Sequence, residues 1–122
     1  MRVISGSLKG RLINFIKNSN TRPLKDSVKE SIFNILDHSN LLKTEIKNSN
    51  ILDLYSGIGS FGIECISRSA KKVTFVEHSI DSAKILKENL IKLSILDKSE
   101  VYNGMVETFL SKKTNEKFNI FF

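Results

Sequence analysis

The stretch ILDLYSGIGSFG, residues 51–62, decides which folds this chain can adopt. It opens with an apolar run of strand length that is interrupted by one carboxylate, Asp53. Three glycines follow at the spacing Gly-x-Gly-x-x-Gly, which is typical of the turn between a strand and a helix in nucleotide-binding folds. We expect Gly57 to make the tight turn, Gly59 to let the backbone approach a ligand, and Gly62 to allow the helix to pack closely on the strand. The stretch therefore predicts a strand, a ligand-binding loop and the start of a helix.

A second strand-like segment, residues 72–76, ends at Glu77. Glu77 follows Gly57 by about twenty residues, and an acid at this spacing can accept hydrogen bonds from both hydroxyls of a ribose. His78 comes directly after it and could lie beside an adenine ring bound in the same place. The two segments together predict a site for an adenosine-containing ligand. A solvated acid at the strand end is the alternative interpretation of Glu77.

Asp53 separates two classes of adenosine-containing ligand. A carboxylate beside the pyrophosphate of NAD or a flavin would repel it. S-adenosylmethionine carries a sulfonium and an ammonium group and has no phosphate, so the carboxylate favours this cofactor. The alternative is that Asp53 caps the loop amides at the end of its strand.

Strand and helix patterns alternate along the rest of the chain. Beyond the strand that opens residues 51–62, the predicted strands are residues 72–76, 100–103 and 118–122, and the predicted helices are residues 27–37, one that begins near residue 60, 80–93 and 106–110. Strands that alternate with helices form parallel sheets. The predicted fold class is therefore α/β and Rossmann-like, with an incomplete parallel sheet and a β-hairpin extension at the N-terminus.

Two of these helices have a face that the sequence predicts in detail. In the first, Val28, Ile32, Ile35 and Leu36 form an apolar stripe that we expect to be buried. In the helix over residues 80–93, Asn89 interrupts the apolar rows. We expect Asn89 to be an exposed polar residue, with a hydrogen bond to a loop as the alternative.

The net charge of +6 lies in the N-terminal segment. Residues 1–29 contain seven lysines and arginines and one aspartate, whereas residues 30–122 contain twelve basic and twelve acidic side chains. Residues 2–5 and 11–16 read as two short strands joined by a glycine-bounded turn. A basic ribbon of this kind attracts a polyanion with an affinity that falls steeply with salt. The alternative is a solvated basic surface that keeps the protein soluble.

Composition argues against several other classes of protein. No apolar run reaches membrane-spanning length, and the first residues lack the apolar core of a secretory signal, so we predict a cytoplasmic protein without a membrane partner. Cys65 is the single cysteine and has no partner for a disulfide. Because His38 and His78 have no cysteine or carboxylate at ligand spacing, we predict no metal site.

The run DLYSGIGSFGIE, residues 53–64, followed by ISR, residues 66–68, resembles the first motif of the bacterial 16S rRNA guanine-N2 methyltransferases. The same family opens with a basic hairpin and an Arg-Pro-containing helix start, and this chain resembles it in its basic hairpin and in the Arg22-Pro23 pair before the first helix. The resemblance covers all 122 residues, which would be about the N-terminal two-thirds of such a protein.

This resemblance implies a class I S-adenosylmethionine-dependent methyltransferase that acts on the N2 amine of a guanine in 16S rRNA, as a monomer and within an assembling small ribosomal subunit. The implied cofactor-binding residues are Asp53, Tyr55, Gly57, Gly59, Glu77, His78 and Met105. The implied RNA-binding residues are Arg2, Lys9, Arg11 and Arg22. We expect residues 1–24 to form a basic hairpin and loop, and residues 25–122 to form a partial cofactor-binding domain.

The sequence departs from this family at two places near the expected site. In the family, the strand at residues 118–122 leads into an Asp/Asn-Pro-Pro-aromatic motif that holds the guanine amine. The motif would follow Phe122, so we predict no catalytic residue within the 122 residues and no catalysis by this chain alone. Met105, after Gly104, stands where an acidic or amide residue would contact the adenine amine.

Three other functions remain open at this point. A nicotinamide-dependent oxidoreductase explains the glycines and Glu77 but leaves Asp53 and the basic hairpin unexplained. A non-catalytic RNA-binding module explains the charge but gives the glycine loop no task. A methyltransferase that acts on another nucleic acid or on a protein shares both the first motif and Glu77.

Overall fold

The computed structural model describes residues 1–15, 26–38, 45–112 and 117–122. Its elements are α1 (Asp26–His38), β1 (Asn50–Leu54), α2 (Ser60–Ser67), β2 (Lys72–Glu77), α3 (Ile80–Lys92), a 3-10 turn (Leu96–Lys98), β3 (Ser99–Asn103), α4 (Val106–Ser111) and β4 (Ile120–Phe121). The four predicted strands of the sheet and the four predicted helices are present, with bounds that differ by one or two residues. The two short strands predicted over residues 2–5 and 11–16 are not formed within the described residues, where a single isolated bridge stands in their place. Only the 3-10 turn was not predicted, because three residues are too few to show a period.

The four strands form one parallel sheet in the order β3-β2-β1-β4. Ile51 of β1 pairs with Val73 of β2, and Val73 pairs with Ser99 of β3. Because the strands are parallel, their carboxyl ends meet at one edge of the sheet, and the loops that leave them lie side by side. The predicted α/β fold is confirmed.

The helix after the glycine loop packs very closely on the sheet. A Cβ placed on Gly62 would lie 2.2 Å from Cε1 of Phe75 in β2, so only glycine fits between α2 and the strand. This contact confirms the packing role predicted for Gly62. Cys65, also in α2, is buried and forms no disulfide.

The N-terminal segment forms the predicted hairpin, although only one β-bridge, between Arg2 and Leu12, joins its two arms. The amide of Val3 donates to the carbonyl of Arg11 at 2.9 Å. Val3 and Ile13 are buried and belong to the same apolar cluster as α2 and the sheet. The hairpin therefore packs on the main core of the described chain.

The predicted buried faces of α1 and α3 were partly wrong. Val28 and Ile35 are exposed, whereas Lys29 and Phe33 are completely buried. Asn89 is also completely buried. A lysine and an asparagine read as solvent-facing in a sequence, but both are buried here because distant residues satisfy their polar atoms.

The described residues contain neither a membrane-spanning helix nor a cluster of metal-binding side chains. None of their helices is both long and apolar enough to cross a bilayer. They also contain no group of three histidine, cysteine or carboxylate side chains that could hold a metal ion. The side chain of His38 lies outside the described part of the chain.

Candidate functional site

The loop between β1 and α2 is a tight turn at the carboxyl edge of the sheet. Tyr55, Gly57 and Gly59 have positive φ angles of 54°, 57° and 97°. Ser56 anchors the loop, because its amide donates to the carbonyl of Val76 in β2 at 3.0 Å. Positive φ favours glycine and is uncommon for other residues. Tyr55, whose side chain is exposed, therefore has a backbone conformation that most side chains avoid.

The two loop glycines differ in what surrounds them. A Cβ on Gly59 would lie 2.4 Å from Cδ1 of Leu86 in α3, whereas a Cβ on Gly57 would meet no atom within 4 Å. The space at Gly59 is thus taken by α3. The open position is therefore at Gly57 and not, as the spacing led us to expect, at Gly59.

Glu77, at the end of β2, holds this loop through its carboxylate. Its Oε1 accepts a hydrogen bond from the amide of Gly57 at 2.9 Å, and its Oε2 accepts one from the amide of Ser79 at 2.8 Å. The residue is only 7% exposed. Each carboxylate oxygen can accept more than one hydrogen bond. Glu77 can therefore order the loop and still accept hydrogen bonds from a ligand's hydroxyl groups.

Asp53, near the end of β1, is a buried acid with unused hydrogen-bonding capacity. Its Oδ2 has no hydrogen-bond partner within the described chain. Burial raises the pKa of Asp53 to about 8, opposed by a hydrogen bond from the amide of Gly62 and reinforced by the charge of Glu77. An unpaired carboxylate oxygen in a buried place is unfavourable. A cationic or hydrogen-bond-donating ligand would relieve this cost.

The end of β3 joins the same edge. The side-chain amide of Asn103 and the backbone amide of Gly104 donate to the carbonyl of Glu77, at 2.8 and 3.0 Å. Met105 follows and is about half exposed. His78 is exposed, and its Nδ1 lies 3.6 Å from Oε2 of Glu77. Ser79 and Asn103 were missed in the sequence, although Ser79 directly precedes the predicted helix, as an N-cap residue does, and Asn103 is a polar residue at the end of a strand.

A buried charged centre lies on the other side of the loop. Lys29 in α1 and Glu64 in α2 are both fully buried, and Nζ of Lys29 lies 3.2 Å from Oε1 of Glu64. Nζ also donates to Oγ of Ser60, the first residue of α2, at 3.1 Å. On its other oxygen, Glu64 pairs with Nε of Arg68 at 3.0 Å. The centre therefore fixes the start of α2 directly after the glycine loop.

The same centre holds the N-terminal hairpin. Glu64 accepts hydrogen bonds from the amides of Ile4 and Ser5, at 2.9 and 3.0 Å. Nζ of Lys29 donates to the carbonyl of Arg2 at 3.0 Å. A carboxylate and an ammonium group thus bind the hairpin backbone at residues 2, 4 and 5.

The candidate RNA-binding side chains of the hairpin lie at the surface. Arg2, Lys9 and Arg11 are exposed, and Nη2 of Arg11 donates to the carbonyl of Lys92 at 3.3 Å. Arg22 lies outside the described residues. The hairpin therefore presents basic groups to solvent while its backbone is held by buried ones.

Comparisons with known proteins identify the family. The family described as Conserved hypothetical protein 95 matches residues 1–122. The chain is 38% identical over 117 residues to "Ribosomal RNA small subunit methyltransferase D" of Haemophilus influenzae. The aligned region covers 95% of this chain and 58% of that protein. It is 34% identical to the protein of the same name from Buchnera aphidicola subsp. Baizongia pistaciae, over 100% of this chain and 59% of the relative. The chain thus spans less than two-thirds of the length of these relatives.

A solved structure supports the same assignment. "Putative methyltransferase yhhF from Escherichia coli" superposes with a TM-score of 0.78 at 30% identity, over 93% of this chain and 57% of that one. This match confirms the Rossmann-like fold of class I methyltransferases, and the relatives' names confirm the resemblance seen in residues 53–68. The chain belongs to the Conserved hypothetical protein 95 family, among relatives that are named small-subunit ribosomal RNA methyltransferases.

Proposed function

We propose that this chain binds S-adenosylmethionine and forms the cofactor-binding part of an enzyme that methylates the N2 amine of a guanine in 16S rRNA. One observation carries the cofactor assignment: the buried acidic side chains of Asp53 and Glu77 stand at the ends of neighbouring strands, and Glu77 bonds to the amide of Gly57, whose own position is open. The relatives' names support ribosomal RNA as the substrate.

The chemistry of the two acids fits the two ends of this cofactor. Asp53 has a buried oxygen without a partner, which suits the positively charged methionine end. Glu77 can accept hydrogen bonds from the ribose hydroxyls. Burial raises the pKa of Asp53 to about 8, so a cationic ligand favours release of its proton and gains an ion pair, whereas the anionic pyrophosphate of NAD would oppose that ionisation. We therefore favour a methyltransferase over an oxidoreductase.

In the proposed reaction, the chain mainly positions its ligand. S-adenosylmethionine, when bound, supplies a methyl group on a positively charged sulfur, which is already an activated leaving group. Asp53 and Glu77 orient the cofactor, and Tyr55, His78 and Met105 surround it at the edge of the sheet. Such positioning can supply a large part of the rate enhancement. The 122 residues contain no Asp/Asn-Pro-Pro-aromatic motif, so we assign the guanine contact to none of them.

We further propose that the hairpin binds RNA phosphate through Arg2, Lys9, Arg11 and Arg22. Its excess of basic residues supports this role, because neutralised phosphates release counterions. The substrate would be an assembling small ribosomal subunit in the cytoplasm, and the protein would act as a monomer. Residues 1–24 would serve RNA binding and residues 25–122 cofactor binding.

Isothermal titration of the 122-residue chain with S-adenosylmethionine and with NAD tests the cofactor assignment. We expect saturable binding of S-adenosylmethionine that is at least tenfold tighter than any binding of NAD. Tighter binding of NAD would replace this proposal with the oxidoreductase. If salt-dependent RNA binding occurs without binding of either cofactor, a non-catalytic RNA-binding module is the better account.

A further inference from the structure

Asn89 in α3 is a buried amide whose hydrogen bonds all go to residues distant in sequence. Its Oδ1 accepts from the amide of Asn14 at 2.8 Å, and its Nδ2 donates to the carbonyl of Asn14 at 3.0 Å. Nδ2 donates a second hydrogen bond, at 3.1 Å, to the carbonyl of Ile58. The side chain is fully buried. One side chain thus joins three segments of the chain.

The two partners of Asn89 belong to the two regions with proposed functions. Ile58 lies between Gly57 and Gly59 in the glycine loop, and Asn14 lies in the second arm of the basic hairpin. Asn89 pairs with both backbone groups of Asn14, as a neighbouring β-strand would. Its remaining donor fixes the orientation of the peptide group at Ile58, next to the open position of Gly57.

The surroundings of Asn89 reinforce this arrangement. Leu86, one turn earlier in α3, fills the space beside Gly59, so α3 supports the loop on two consecutive residues, 58 and 59. One turn later along the same helix, Nζ of Lys92 donates to Oδ1 of Asn14 at 3.3 Å. Helix α3 therefore contacts the loop and the hairpin along one continuous strip.

We propose that Asn89 is a positioning residue for the cofactor site, which sets the glycine loop at Ile58 and ties the basic hairpin to that loop through Asn14. This role goes beyond the proposed function and rests on it only for the cofactor measurement below. No other side chain of similar size and shape offers one acceptor and two donors in this geometry. Leucine in its place would remove the partner of three backbone groups, the amide and carbonyl of Asn14 and the carbonyl of Ile58.

The first test is amide hydrogen exchange of the 122-residue chain by NMR, which needs no ligand. In Asn89→Leu we expect exchange at Gly57 and Gly59 to accelerate about tenfold or more relative to the wild-type chain. Exchange at Phe75 and Val101, in the β2–β3 ladder, should change no more than the global stability does. Leu90→Ala is the control, because Leu90 is a fully buried neighbour in α3 whose side chain forms no hydrogen bond.

The second test is the affinity for S-adenosylmethionine. We expect Asn89→Leu to weaken binding about tenfold or more, and Leu90→Ala to leave it within about twofold of wild type at a temperature where both are folded. If Asn89→Leu does not fold, Asn89→Asp is used, which keeps the acceptor for the Asn14 amide and loses the amide donors. The proposal would be overturned if the exchange rates of the loop amides and the affinity for S-adenosylmethionine changed only in proportion to global stability, and equally so in the Asn89 and Leu90 variants. If the wild-type chain binds no S-adenosylmethionine, the proposed function fails, and the exchange measurement alone decides the role of Asn89.

Discussion

Oε1 of Glu77 accepts a hydrogen bond of 2.9 Å from the backbone amide of Gly57, although the two residues are 20 positions apart in the sequence. They meet because β1 and β2 are parallel neighbours, so that the loop after one strand lies beside the end of the other. The sequence separation between Gly57 and Glu77 is therefore the length of chain that leads from the end of β1 to the end of the neighbouring strand β2. It places an acid beside the open side of the loop before any ligand arrives.

Glu77→Gln should weaken binding of S-adenosylmethionine at least tenfold, because glutamine keeps one acceptor oxygen, which cannot serve the ribose hydroxyls as well as the amides of both Gly57 and Ser79. Loss of the other acceptor oxygen leaves a buried donor unsatisfied and should lower the free energy of unfolding by about 1–3 kcal/mol. Isothermal titration and urea denaturation measure the two effects.

The matched control is Glu100→Gln on the neighbouring strand β3. Glu100 is exposed and pairs with Lys72 at 2.8 Å. Its loss should change the free energy of unfolding by less than about 1 kcal/mol and leave cofactor binding unchanged. Equal effects of the two substitutions would refute a specific role for Glu77.

The raised pKa of Asp53 predicts that stability depends on pH in a defined window. Because burial raises this pKa from 3.8 to about 8, the folded chain keeps a proton that the unfolded chain has released. This proton's contribution to the free energy of unfolding is fully present below about pH 4. It is lost as the pH rises toward 8, at up to about 1.4 kcal/mol per pH unit. Asp53→Asn should remove this component, so that its free energy of unfolding falls less than that of wild type between pH 5 and 8.

Urea denaturation at four pH values in this range tests the prediction. The quantity of interest is the difference between wild type and Asp53→Asn, since other groups titrate in both proteins. A difference that stays constant with pH would show that Asp53 is ionised in the folded chain at neutral pH.

Lys29→Met should destabilise the chain by about 3–5 kcal/mol, because it leaves the carboxylate of Glu64 buried with less compensation. The double variant Lys29→Met/Glu64→Gln should recover part of this loss, since the buried negative charge is removed as well. Thermal and urea unfolding of the single and double variants measure the coupling. Lys72→Met, which breaks a more exposed ion pair, serves as the control. Additive effects of the two substitutions would contradict an ion pair at the centre of this cluster.

The basic hairpin should give RNA binding a measurable salt dependence. Replacing Lys9 and Arg11 with glutamine should reduce the slope of log K against log salt by about 0.7 for each phosphate contact that is lost. Lys84→Gln with Lys87→Gln, two exposed positions on α3, is the control pair of equal charge. Filter binding of a short single-stranded RNA at several salt concentrations provides the slopes. If the control pair lowers the slope as much as the hairpin pair, the hairpin has no special part in binding.

The sequence predicted the elements of the fold and the position of Glu77 because these depend on local patterns. Strand length, helical period and the glycine spacing in residues 51–62 are all visible within a short window. The burial of Lys29 and Asn89 was missed for the opposite reason. Lys29 is neutralised by Glu64, and Asn89 bonds to Asn14, which is 75 residues away. Buried polar groups depend on partners that only the folded chain brings together.

NMR titration of the ¹⁵N-labelled 122-residue chain with S-adenosylmethionine shows whether the carboxyl edge of this sheet binds that cofactor. We predict saturable shifts of the Gly57 and Ser79 amides, which both bond to Glu77, and little change at Lys72 and Ser99 at the opposite edge. Shifts confined to the opposite edge, or no shifts at saturating cofactor, would contradict the account.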